Sequence, residues 1–137
     1  MHRIITLIAA LFVIAACAHQ PGPSIPPIAS TTCSGNAPNP GWIKYGNSEI
    51  SAKKVTKIKA GKFWKINLMP DAGYETAVVT ISGKNPTQTW LTATGTEDAN
   101  GELYICVPNS ASVGDEFYYM ITVQFVGQLD PRADVVN

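Results

Sequence analysis

Between residues 116 and 126 every second side chain is large and apolar: Phe117, Tyr119, Ile121, Val123 and Phe125 alternate with Glu116, Tyr118, Met120, Thr122 and Gln124. Successive side chains of an extended chain point to opposite sides, so this run reads as a strand with one unbroken apolar face. The same period of two recurs at 62–68, where Trp64, Ile66 and Leu68 share a face, and at 76–82, where Ala77, Val79 and Ile81 do. Weaker strands are expected at 54–59, 89–96, 103–107 and 133–136. Turn-forming residues separate the runs: Ala60-Gly61, Pro70-Asp71-Ala72-Gly73, Gly83-Lys84-Asn85-Pro86, Asn100-Gly101, Val113-Gly114-Asp115 and Asp130-Pro131. Asn100-Gly101 reads as a tight hairpin turn, because both residue types tolerate positive φ. At Asp130-Pro131-Arg132 the proline is expected to bend the chain into the last strand, with Asp130 and Arg132 paired locally. Roughly seven short strands, with no helix beyond a short turn, predict an all-β fold: an antiparallel β-sandwich, with a small closed barrel as the alternative.

The start of the chain reads as an address. Arg3 precedes thirteen almost wholly apolar residues, Ile4 to Ala16. As a helix these would span about 20 Å, short of the roughly 30 Å of a hydrocarbon core, so a cleaved export signal is expected rather than a membrane span. Ile14-Ala15-Ala16-Cys17 resembles the lipobox of bacterial lipoproteins. The resemblance implies cleavage before Cys17, acylation of that cysteine and anchorage in a bacterial membrane. Ala18 stands where Asp is associated with inner-membrane retention, so the outer membrane is the expected location.

Six of the ten prolines lie between Ala18 and Gly41, a stretch without a single Lys, Arg, Asp or Glu. Such composition makes a linker of polyproline-like or irregular character. The expected organisation is a signal peptide over 1–16, a lipidated Cys17 with a Pro-rich tether over 17–41, and one β domain over 42–137.

Setting Cys17 aside leaves Cys33 and Cys106, an even pair in an exported chain, and a disulfide is the expected state. In the chain-entropy account, closing so long a loop contributes about 4 kcal/mol. Asn100 to Cys106 is similar to the Tyr-x-Cys strand of immunoglobulin domains, through Tyr104 and Cys106. The resemblance stops there: Thr31, Thr32, Ser34 and Gly35 around Cys33 do not alternate as a strand would, and Trp42 follows too soon to be the usual core tryptophan. Facing Leu103, Ile105 and Val107 inward puts Cys106 outside. The bridge is then expected to clip the Pro-rich segment to the sheet's flank, in a sandwich of immunoglobulin-like or cupredoxin-like topology.

Chemistry is scarce. The only histidines, His2 and His19, precede the β domain, so it lacks the residue that most triads, zinc sites and cupredoxin copper sites need. The expectation is no enzyme, no cofactor and no metal. Net charge is zero, which argues against nucleic acid as a partner. Asp98-Ala99-Asn100-Gly101-Glu102 has the alternating oxygens of a calcium loop, but the glycine is misplaced and no bidentate Glu follows.

Two features remain as candidate binding surfaces. Lys53, Lys54, Lys57, Lys59 and Lys62 form a basic strip, suited to an anionic partner or to guarding an edge strand against aggregation. Most of the aromatic residues are needed for the core. Phe63 with Lys65, and Tyr118 with Met120, fall opposite the apolar faces and are the residues expected to meet a partner. The function expected is a non-enzymatic binding or envelope-structural module, with a protein or envelope polymer as partner. The alternatives are a domain that binds glycans or hydrolyses them through carboxylates, and a subunit of a secretion or assembly complex.

Overall fold

The structure, a computed structural model, describes residues 33–137. The expected export signal, Cys17, both histidines and the first part of the expected tether lie outside the described residues. Ten strands and one helical turn follow in order: β1 (Gly41–Gly46), β2 (Glu49–Ala52), β3 (Val55–Ile58), β4 (Phe63–Pro70), β5 (Val79–Gly83), β6 (Thr92–Gly95), α1 (Glu97–Asn100), β7 (Glu102–Cys106), β8 (Glu116–Val123), β9 (Gly127–Leu129) and β10 (Arg132–Val135). They build a β-sandwich. One sheet runs β2-β1-β4-β7, and the other runs β3-β10-β8-β5-β6 with β9 also on β8.

The sheets are mixed: β1 lies parallel to β4 and β3 parallel to β10, while the other pairings are antiparallel. The parallel ladders arise because the short β2 and β3 belong to different sheets. The chain crosses the sandwich between Ala52 and Val55, and the next strand, β4, therefore runs alongside β1 in the same direction. At the sandwich edges β6 lies against β7 and β2 against β9.

The expected alternation holds where it decides the core. Trp64, Ile66 and Leu68 of β4, Val79 and Ile81 of β5, Leu103 and Ile105 of β7, and Tyr119, Ile121 and Val123 of β8 are all buried. Each such side chain contributes roughly 1.5–3 kcal/mol relative to exposure. The Trp64 and Tyr119 rings meet edge-to-face between the sheets, 5.3 Å apart. The Tyr119 hydroxyl shares a hydrogen bond with buried Thr56, while burial pushes its pKa up to about 12.

Three local expectations are overturned. Phe125 is not on the apolar face of β8: the strand stops at Val123, Val126 N–H bonds to the Val123 carbonyl at 3.1 Å, and Phe125 stands 91% exposed at φ +64°. The chain turns there so that β9 can return along β8. Asn100-Gly101 is not a hairpin turn: the residues close α1, with Gly101 in the left-handed conformation at φ +66° as its C-cap. Asp130 and Arg132 do not pair with each other, because buried Pro131 separates β9 from β10. Asp130 instead meets Lys84 at 2.8 Å, and Arg132 meets Asp134 at 2.9 Å and Glu116 at 3.3 Å.

Cys33 and Cys106 form the expected disulfide, with Cα atoms 5.8 Å apart. With Leu103, Ile105 and Val107 inward, Cys106 projects from the outer side of β7. The bridge holds residues 33–37, expected as tether, against the start of β4. Ser34 N–H donates to the Gly61 carbonyl at 3.0 Å, Phe63 N–H to Gly35 at 3.0 Å and Ala37 N–H to Phe63 at 2.8 Å. Replacing both cysteines by serine is expected to cost about 2–5 kcal/mol of unfolding free energy. Denaturant titration of the oxidised wild type against the double variant measures it; indistinguishable midpoints would show that the backbone bonds alone hold the clip.

Candidate functional site

The four residues expected to meet a partner do not form one patch. Phe63 and Lys65 of β4 point outward from the first sheet, whereas Tyr118 and Met120 of β8 point outward from the second. On the first face, Phe63 lies edge-to-face with Tyr104, 6.4 Å apart, and Lys65 makes an ion pair with Glu102. Tyr104 donates its hydroxyl proton to Glu102 at 2.5 Å. These contacts join cross-strand neighbours of β4 and β7. Lys44 lies over the Trp42 ring at 5.7 Å on the same face. On this face Lys65 and Glu102 are paired with each other, and Lys44 is set over the Trp42 ring.

The second face leads into a concave site. At the end of the sandwich where β5 and β7 stop and β8 begins, the loops 84–91 and 107–115 enclose a cleft of about 390 Å³. Trp90 and Phe117 meet edge-to-face at 4.9 Å and give it an aromatic wall. Asn85, Thr87, Gln88, Ser110, Asp115 and Glu116 supply polar groups around them. An adjoining groove of about 560 Å³ shares Asn85, Gln88 and Glu116 and is bordered by Tyr118. Tyr118 is thus the one sequence-expected aromatic that reaches the concave site; Phe63, Lys65 and Met120 do not line it.

The sequence builds this site from local geometry. The Asn85 side chain accepts from the Thr87 N–H at 3.0 Å and the Thr87 hydroxyl at 2.8 Å, a turn this residue type favours. Gln88 then packs on Gly83, where an added Cβ would stand 2.8 Å from the Gln88 Cβ and 3.0 Å from its carbonyl oxygen. Only glycine permits that approach. The Gln88 Oε1 is buried on the Gly83 side and makes no hydrogen bond within the described residues.

The carboxylates are engaged. Asp115 accepts from the Ser112 N–H at 2.7 Å, which ties the loop before β8. Glu116 accepts from the Tyr118 hydroxyl at 3.3 Å and pairs with Arg132. The cleft can therefore offer aromatic surface, amides, hydroxyls and already-oriented acceptors to a ligand. Ser110 and Thr87 have no histidine or cysteine beside them among the lining residues. Among the described residues no group of His, Cys, Asp and Glu is placed to hold a metal ion.

The basic strip follows the loop and turn around β3. Lys53 and Lys54 precede that strand, Lys57 points outward from it, and Lys59 and Lys62 occupy the turn into β4. β3 is an edge of the second sheet, where lysines discourage pairing with another chain. Sequence reasoning missed the Trp90–Phe117 cleft, since residues 27 apart in a loop and a strand carry no shared pattern.

No family model matches the chain, and no curated protein or solved structure matches it either.

The paired groups on the first face give a pH dependence. Hydrogen bonds from Lys65 and then Tyr104 hold the Glu102 carboxyl below its ordinary value of 4.5. A depressed carboxyl adds stability that is present above its unfolded pKa and lost as pH falls through the folded one. Between about pH 6 and pH 3, the melting temperature is expected to fall less steeply in Glu102→Gln than in wild type. Parallel curves would show that the pair contributes nothing in solution.

Proposed function

We propose that this chain is a non-enzymatic binding module of a bacterial envelope, acylated at Cys17 and held on the outer membrane, that engages a hydroxyl-rich envelope polymer through the Trp90–Phe117 cleft. The observation that carries the binding reading is the continuity of the concave site. An aromatic wall at Trp90 and Phe117 and a second aromatic at Tyr118 are joined by Asn85, Gln88 and Glu116. Sugar rings present apolar C–H faces and equatorial hydroxyls, and a groove alternating aromatic surface with fixed acceptors suits both.

Binding is favoured over turnover because the carboxylates nearest the aromatics already serve as structural acceptors. The export reading is supported by the disulfide, which is stable in an oxidising compartment. The strand arrangement favours the cupredoxin-like of the two expected topologies. β2 and β3 divide between the sheets, two parallel ladders result, and the bridge lies on the flank instead of joining the sheets through the core.

Two measurements test the reading. Cells expressing the chain and fed labelled palmitate are expected to label it, and Cys17→Ala to abolish the label; an unlabelled wild type removes the anchor. Purified chain is expected to be retained on insoluble peptidoglycan or immobilised envelope polysaccharide. The Trp90→Ala/Tyr118→Ala variant should lose about tenfold or more in affinity. Absence of retention by the wild type on either polymer, or full retention by the variant, removes the cleft as the binding site.

A further inference from the structure

The chain's charge is divided between the two ends of the sandwich, and the division is oriented relative to the point where the folded chain begins. Lys59 and Lys62 lie in the turn before β4, beside Cys33: Ser34 N–H bonds to Gly61 at 3.0 Å, and the Lys62 ammonium donates to the Ser34 carbonyl at 2.9 Å. Lys53, Lys54 and Lys57 continue the strip up the β3 flank. Among the described residues none of these five forms an ion pair, whereas Lys65, Lys84 and Arg132 each do.

The strand β4 then carries the chain away from this end through eight residues, about 26 Å at the usual rise. At its far end stand Asp71, Glu75, Glu97 and Asp98. Asp71 N–H bonds to Tyr45 at 2.8 Å and Asp98 N–H to Glu75 at 3.3 Å. Glu97, Asp98 and Glu75 lie near enough to add to the effect of burial in raising the pKa of Tyr45. One end is therefore acidic. At the other, five lysines without an ion pair among the described residues are joined by Asp115, Glu116, Asp130 and Asp134, of which Lys84 and Arg132 offset two, so lysine charge is in excess. Guarding the β3 edge accounts for Lys54 and Lys57 but not for Lys59 and Lys62, which lie past the strand.

We infer that the lysine-bearing end is a docking surface for an anionic lipid bilayer. The inference extends the anchored-module reading, since Cys33, through which the chain leads back to Cys17, lies on the basic side. A tether keeps that end at high effective concentration near the membrane, where each exposed lysine gains from phosphate-bearing headgroups. The acidic end is turned away by the same field. The Trp90–Phe117 cleft opens at this same end, since Val107 N–H donates to the Lys62 carbonyl at 3.1 Å just before Pro108 and Ser110 of its wall. But β3 and the β5–β6 loop lie at opposite lateral edges of the second sheet, so the lipid contact is confined to the β3 side of that end.

The test uses residues 17–137 with Cys17→Ser, so that no acyl chain contributes. The probe is vesicles of equal parts phosphatidylglycerol and phosphatidylcholine, with pure phosphatidylcholine as reference. Co-sedimentation with the anionic vesicles alone is expected at low salt, with loss at high salt. Lys57→Glu/Lys59→Glu is expected to weaken it by about tenfold or more. Lys44→Glu/Thr94→Glu/Gln124→Glu, of identical net charge with all three positions exposed and outside the strip, is expected to bind close to wild type, and circular dichroism verifies that both variants fold. No binding at low salt, or equal losses in the two variants, overturns the inference. Palmitate labelling separates the two readings: labelled Cys17 without vesicle binding leaves the anchor and removes the surface, and unlabelled Cys17 with salt-sensitive binding does the reverse.

Discussion

The edge-to-face contact between Trp64 and Tyr119 sets the phase of the whole sandwich. Trp64 is on β4, flanked by β1 and β7; Tyr119 is on β8, flanked by β5 and by β10 with β9. Each ring thus lies on an interior strand of its own sheet. Once both face inward, the period of two dictates the direction of every other residue on those strands, and the ladders pass that parity to their neighbours. A slip of one residue in β4 would bury Lys65 and expose Ile66. The outward positions of Phe63 and Lys65 on one side, and Tyr118 and Met120 on the other, follow from this constraint, as does Cys106's place outside β7.

That last consequence gives the disulfide an unusual task for a small sandwich. It does not join the two sheets through the core; it ties the entering chain to the outer edge of the fold. Beside it, Asn36 bridges to Phe63 in the parallel sense, so the clipped segment prolongs the β1–β4 ladder backward past the start of β1. The covalent bond and the ladder support the same geometry. Together they fix Cys33 and the residues that follow it against the start of β4.

Sequence reading succeeded where one face of a strand is apolar and the other is not. β4, β5 and β8 were legible because burial on one side writes itself as alternation, and the Cys106 parity followed from Leu103 and Ile105. It failed where a pattern outlasts its partner: Phe125 continues the alternation of β8, but the pairing strand turns back at Val123, and nothing in residue 125 records that. It failed again where two structures share a signal, since Asn-Gly serves a helix C-cap as well as a hairpin. The parallel ladders and the Trp90–Phe117 cleft depend on contacts between distant segments, which no local period encodes. Tyr118 was visible as an outward aromatic; that it borders a groove was not.

The charge pattern shows how a linear asymmetry becomes a spatial one. The lysines of 53–62 precede β4 and the acids of 71–102 follow it, so the transit of one strand places them at opposite ends. Four later acids, Asp115, Glu116, Asp130 and Asp134, return to the basic half and would be expected to cancel it. They cancel only part of it: Lys84 and Arg132 offset two of these four charges, and the five lysines of the strip exceed the two left over. Asp115 holds the Ser112 amide, Asp130 holds Lys84, and Arg132 holds both Glu116 and Asp134. Asp134 is even opposite Lys57 in the β3–β10 register, yet its carboxylate is turned to Arg132. A chain of zero net charge therefore presents a basic surface at one end because five lysines gathered there exceed the two negative charges that Lys84 and Arg132 leave unbalanced.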